Sequence, residues 1–270
     1  MYAGTTLRHG SGKIVGVHQK IDRIARRHLN RFVDKSVDFP NIKQILHFEG
    51  KNGPDGLKRK SSSVDEPWHF IDPASPDDIG LVLMVNDHIT NLAQALRDKN
   101  EARASFEAAW LAHAVVDGLT PPHHYPLGDK IQELWGKSRH ERLSVMDKNI
   151  IRGINRRDTL SKNWQYWGKG GVFTTHFMFE WGVATIIAPD KYDKAFPSVA
   201  DIKRMRMLGF ETTFIQSIQK VYNMKLYDEY GKSGWTRKLA TKTKQTLMPE
   251  IIKTVILAWY QAVILATEEE

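Results

Sequence analysis

The chain has 270 residues, 41% of them hydrophobic, with eight tryptophans and no cysteine. That is enough apolar material for one large core, and it excludes the disordered and fibrous classes. Without cysteine there are no disulfides and no thiolate ligands, so a bound metal must be held by imidazole and carboxylate, while the formal charge of +8 points to an anionic partner: a phosphate ester, nucleic acid or an acidic membrane surface.

Helical periodicity runs along nearly the whole chain and two-residue alternation is almost absent, which predicts an all-α fold, one compact multi-helix domain over residues 1–270. The N-terminal stretch MYAGTTLRHGSGKIVGVHQK has no apolar core of the signal-peptide kind. The chain as it stands is therefore expected in the cytoplasm, with secretion the alternative for a longer N-terminus.

Ile14, Val17, Ile21, Ile24, His28 and Phe32 mark one face of a helix from about Lys13 to Lys35. His18 lies on that inward side, and the outer face is basic. A polar loop follows, EGKNGPDGLKRKSSSVDEP, leading into the turn sequence WHFIDPASPDD. Pro76-Asp77-Asp78 opens a helix to about Lys99, and the next runs from Glu101 to Asp117, stopped by Gly118 and then Pro121 and Pro122. The basic segment from Gly128 to Lys169 carries a short helix around His140 to Ile151. Helices at about Val172 to Ile187, Ser198 to Tyr230 and Pro249 to Glu268 complete the chain. The longest apolar stretch, Ile251 to Ala266, is broken by Lys253 and Gln261 and reads as core, not as a membrane span.

Within LAHAVVDGLTPPHH, the residues Phe106, Ala109, Trp110, His113 and Asp117 follow at three- and four-residue steps, so His113 and Asp117 extend the apolar stripe. A buried carboxylate costs several kcal/mol unless a cation or several donors receive it. A metal shared with His113 supplies such a partner. GGVFTTHFMFEWGV repeats the geometry with His176 and Glu180 among Phe173, Phe177 and Trp181. A single His-x3-Asp pair is most often a plain hydrogen bond on a helix; the ordered set is what argues for metal. After Asp117 the glycine and prolines turn the chain so that His123 returns near the helix end, with His124 the competitor for that place. Upstream stand His69 in PWHFIDP, Asp55 in the polar loop, with Asp65 its competitor, and His18 on the first helix. All are oxygen or nitrogen donors suited to zinc. His28 reads as a hydrogen-bonded core residue, and His9, His47, His88 and His140 carry no spacing signal. The run RKLATKTK reads as a solvated helix face.

The set His18, Asp55, His69, His113-x3-Asp117-x5-His123 and His176-x3-Glu180, spread over about three-fifths of the chain, resembles the zinc-dependent phospholipases C and the related single-strand-preferring zinc nucleases. The HFIDP wording and the terminal glutamate are closer to the phospholipase branch. The resemblance implies one zinc on Asp55, His69, His113 and Asp117, a second on His123, His176 and Glu180, and a third on His18, with Asp117 bridging and an N-terminal amine completing it. It implies phosphodiester hydrolysis by a metal-activated hydroxide, with Asp55 orienting or deprotonating the water. The substrate is then a phospholipid, reached by transient contact with an anionic membrane surface, or single-stranded nucleic acid as the alternative. A zinc-stabilised binding protein without turnover is the reading outside enzymes.

Two departures from the family bear on the site. The family's amine comes from a processed N-terminus, typically tryptophan, whereas Met1-Tyr2 stand seventeen residues ahead of His18. The third zinc rests on that amine. In addition, 52 residues separate His123 from His176, and the basic part of this insertion is expected at the rim of the site, where it selects substrate.

Overall fold

The computed structural model describes residues 1, 16–58, 70–125, 127–137, 141 and 150–268, and no strand occurs among them. The helices are α1 (Val17–Leu29), α2 (Ile42–His47), α3 (Pro54–Lys58), α4 (Gly80–Arg97), α5 (Glu101–Gly118), α6 (Leu127–Trp135), α7 (Arg156–Trp167), α8 (Val172–Ile187), α9 (Val199–Leu208), α10 (Phe210–Asn223), α11 (Leu226–Ser233), α12 (Arg237–Lys242) and α13 (Met248–Thr267). The all-α expectation holds.

The core is organised around α5, which packs against α4 and α13, while α1 packs on both α5 and α13. Small residues make this possible: Ala104, Ala108, Ala109 and Ala112 are all buried on α5 and let neighbouring backbones approach closely. Trp259 of α13 fills the space beside them, and its indole Nε1–H donates to the Ala108 carbonyl at 2.9 Å. A buried indole needs such an acceptor. The helical run Arg237–Thr267 is long and apolar enough to cross a membrane, yet 61% of its apolar window is buried in the protein, as befits a core helix.

Part of the basic face of α1 is spent on helix and loop ends. Lys20 Nζ donates to the carbonyls of Ile187 and Ala188 at 2.7 and 2.8 Å, capping the C-terminus of α8 where a cation is favoured. Arg26 Nε likewise reaches the Pro40 carbonyl at 2.6 Å. In the RKLATKTK run, Lys242 pairs with Glu229 at 2.7 Å and Lys244 with Asp190 at 2.9 Å, both partly exposed, in keeping with a solvated face.

Several element boundaries differ from expectation. The single helix expected from Ser198 to Tyr230 is three helices, because Gly209 (φ 81°) and Lys225 (φ 51°) take left-handed backbone that a continuous helix excludes. The first helix ends at Leu29, not near Lys35. Helix α7, with its Asn155 side chain capping the Asp158 N–H at 2.9 Å, was not expected. The short helix expected around His140 to Ile151 falls almost wholly outside the described residues. Trp135, Ile151 and Tyr166 form a small separate core of the basic segment, against Val172 and Phe173 of α8.

The end of α5 sets the geometry of everything that follows. A Cβ on Gly118 would sit 2.7 Å from Phe214 Cζ and 2.9 Å from Leu81 Cδ2, so a side chain there would have to displace the buried Phe214 of α10 and Leu81 of α4. The Thr120 N–H then donates to the Asp117 carbonyl at 3.0 Å and the His123 N–H to the Thr120 carbonyl at 2.8 Å, winding Pro121–His124 into a 3-10 turn. Gly118→Ala is expected to destabilise the fold by about 1–3 kcal/mol through overpacking, read as a lower midpoint in denaturant unfolding at unchanged slope.

Candidate metal centre

Three helices deliver the candidate residues to one place. α1 brings His18, the last two turns of α5 bring His113 and Asp117, and α8 brings His176 and Glu180, each pair spaced four apart on one helix face. The 3-10 turn after α5 brings His123. His18, His113 and Asp117 form one group that can hold a metal ion, and His123, His176 and Glu180 form a second.

Asp117 touches both groups. Its Oδ1 lies 3.5 Å from His18 Nε2 and 3.4 Å from His123 Nδ1, and its Oδ2 lies 3.3 Å from His113 Nε2. Glu180 Oε1 stands 3.2 Å from His123 Nε2 and 3.0 Å from His176 Nε2. Four ligands at zinc bond lengths place neighbouring donor atoms about 3.3 Å apart, so this spacing fits an ion's ligand shell. His18 adds a second indication. It is 1% exposed, neither ring nitrogen has a hydrogen bond, and its ring stacks on that of His113 at 3.9 Å. A buried imidazole with no hydrogen bond is costly unless something else receives it.

Asp55, on α3, reaches the same place with Oδ1 3.8 Å from His113 Nε2, and at 28% its side chain is the most exposed of the cluster. His69 lies outside the described residues. The segment that follows it is alongside: Phe70 packs on the rings of His123 and His176, and the Ile71 N–H donates to the His123 carbonyl. Between the competitors His123 and His124, the structure separates the roles. His124 Nε2 donates to the Gly118 carbonyl at 2.7 Å and faces Tyr222, away from the carboxylates. Asp65 is outside the described residues. His28 Nε2 bonds the Tyr192 carbonyl, as a core histidine does.

Beside these stand the N-terminal amine, which the family resemblance implied, and two carboxylates that were not anticipated. The α-amine of Met1 is buried in the cluster, 3.0 Å from Asp117 Oδ1 and 3.5 Å from Glu180 Oε1. Glu49, 1% exposed, accepts from His113 Nδ1 at 3.0 Å. It is the carboxylate behind the imidazole, which fixes the ring so that Nε2 faces the cluster. Asp22 is buried near it, and burial together with the Glu49 charge pushes the Asp22 carboxyl well above the usual range. Asp22 had a readable signal, since His18-x3-Asp22 is a third pair of the same spacing. Glu49, a lone loop glutamate, had none.

The charges answer one another. Burial disfavours the Met1 ammonium, but Asp117, Glu180 and Asp55 outweigh it and raise the group to about 10. Burial likewise opposes charge on His113, yet Glu49 and Asp117 hold it well above the usual imidazole range. Burial, helped by His113, pushes His18 well below that range, and burial holds His123 down at about 4. Glu180 is disfavoured by burial and still held well below the carboxylate range by the Met1 amine and His176. Acidic groups this deep need positive charge, and divalent ions supply it in compact form.

The chain matches no protein-family model, no curated protein and no solved structure at a significant level, so the geometry carries the argument. Metal analysis of variants tests it. Asp117→Asn is expected to lower the content of both groups, because its oxygens face both, whereas Glu180→Gln is expected to lose about one equivalent. Glu49→Gln is expected to keep the fold but weaken metal affinity about 10–100-fold in chelator competition.

Proposed function

We propose that the protein is a zinc-dependent phosphodiester hydrolase of the phospholipase C type. The observation that carries this reading is Asp117, a buried carboxylate that stands between two donor groups, its Oδ1 near His18 of one and His123 of the other and its Oδ2 near His113. The donor set is nitrogen and oxygen only, which suits zinc, and the order of the residues along the chain is that of the family it resembles.

When bound, closely spaced dications supply an acidified water and neutralise charge on the phosphoryl oxygens. The protein's own part is positioning. Glu49 holds His113 in register, Asp117 and Glu180 hold the imidazoles of both groups, and the 3-10 turn fixes His123. Asp55, the partly exposed member, stands where the cluster meets solvent. A carboxylate there orients the attacking water and takes its proton at a side-chain oxygen.

A single-strand nuclease is the second reading, favoured by Trp164, 69% exposed on a basic helix, where a base can stack. A panel of phosphatidylcholine, an anionic phospholipid, a single-stranded oligonucleotide and bis(p-nitrophenyl) phosphate separates the readings. Hydrolysis of the lipids over the oligonucleotide is the expected result. Tight zinc without turnover of any substrate would make the protein a zinc-stabilised binding module instead. Asp55→Asn is expected to lower kcat about 100-fold or more, while His123, His176 and Glu180 keep their metal equivalent.

A further inference from the structure

Helix α7 turns its apolar face away from the protein. Leu160, Trp164 and Trp167 follow at steps of four and three residues, so they share one side, and they are 72%, 69% and 40% exposed. Ile154, just before the helix, is 93% exposed. The helix is anchored beside that face: the Asn163 amide bonds both Ile151 backbone groups, at 2.8 and 3.2 Å, and Tyr166 is buried with Trp135 and Ile151. A helix so fastened presents its outer residues on a rigid platform.

The same stretch is strongly cationic. Between residues 150 and 170 stand Arg152, Arg156, Arg157, Lys162 and Lys169, against Asp158 alone. That carboxylate is already engaged, accepting from the Ile154 N–H at 2.8 Å and pairing with Lys162 at 3.2 Å. A surface groove of about 410 Å³ opens beside Trp164, lined also by Lys130, Glu133 and Lys169.

We propose that the Ile154–Trp167 face is an interfacial docking surface that seats the protein on an anionic phospholipid bilayer. Apolar side chains of the interfacial kind ringed by arginine and lysine match a bilayer in both respects: tryptophan, leucine and isoleucine enter the headgroup–acyl boundary, and the cations meet anionic headgroups. Nucleic acid answers only half of this, since Ile154 and Leu160 cannot stack on bases. The face also adjoins the candidate centre. Trp167 packs on Phe173 at 4.5 Å, and Phe173 lies one turn before His176 on α8. Docking through α7 therefore brings the centre to the lipid surface, which deepens the hydrolase reading and, for its functional meaning, rests on it.

The test is co-sedimentation of the metal-loaded protein with phosphatidylcholine vesicles, with and without phosphatidylglycerol. The wild type is expected to bind the anionic vesicles and to lose binding as salt rises. Replacing Ile154 and Leu160 by Ser and Trp164 by Ala together is expected to reduce partitioning about 100-fold, and Arg156→Gln with Arg157→Gln about tenfold. Thermal unfolding and the rate on bis(p-nitrophenyl) phosphate should not change in these exposed variants. Failure of the wild type to bind anionic vesicles would overturn the proposal. So would binding that depends on the arginines but not on the apolar residues, or a face that serves an oligonucleotide or self-association and no vesicle. Vesicle binding as expected, with no hydrolysis of any phosphodiester, would uphold the docking surface while removing the hydrolase reading.

Discussion

A carboxylate placed at the buried end of α5 is the constraint on which the rest of the structure depends. Asp117 is 1% exposed, and its neighbours are arranged to receive its charge: the Met1 amine on one oxygen, His18 and His123 near that same oxygen, and His113 on the other. An uncompensated carboxylate at this depth costs several kcal/mol, a substantial part of the stability of a domain. The helical framework is arranged accordingly. α1 and α8 each carry an imidazole toward the end of α5.

The turn after α5 shows how little chain this requires. Gly118 removes the side chain that would hold α4 and α10 apart, the Thr120 N–H takes the Asp117 carbonyl, and His124 closes back on the carbonyl of Gly118. Two adjacent histidines thus have opposite duties. His124 fixes the turn, and the fixed turn aims His123 at Asp117 and Glu180.

What could be read in advance was what is local. A histidine and an acid four residues apart on an apolar stripe must share a helix face, so the pairs on α5 and α8 were legible from spacing, as was the all-helical class. Glu49 was not, because it reaches the cluster through a tertiary contact across dozens of residues, and no periodicity records that; the N-terminal amine was implied by the family resemblance and by nothing in the spacing. The breaks at Gly209 and Lys225 escaped for a different reason: each is a single residue of left-handed backbone inside a pattern that is otherwise continuous. Helix α7 was hidden because its large apolar residues face outward, so the stripe that normally announces a core-facing helix says nothing here about what it packs on. His69 lies outside the described residues, and only its neighbours Phe70 and Ile71 speak for that segment.

The buried Met1 nitrogen has a practical consequence. An amine that sits 3.0 Å from one carboxylate and 3.5 Å from another contributes a full positive charge to the cluster, and joining it in a peptide bond would turn it into a neutral amide. Residues fused ahead of Met1 for purification would therefore change the charge balance of the centre. Material isolated through a handle at the other end of the chain, beyond α13, keeps that nitrogen as the structure has it.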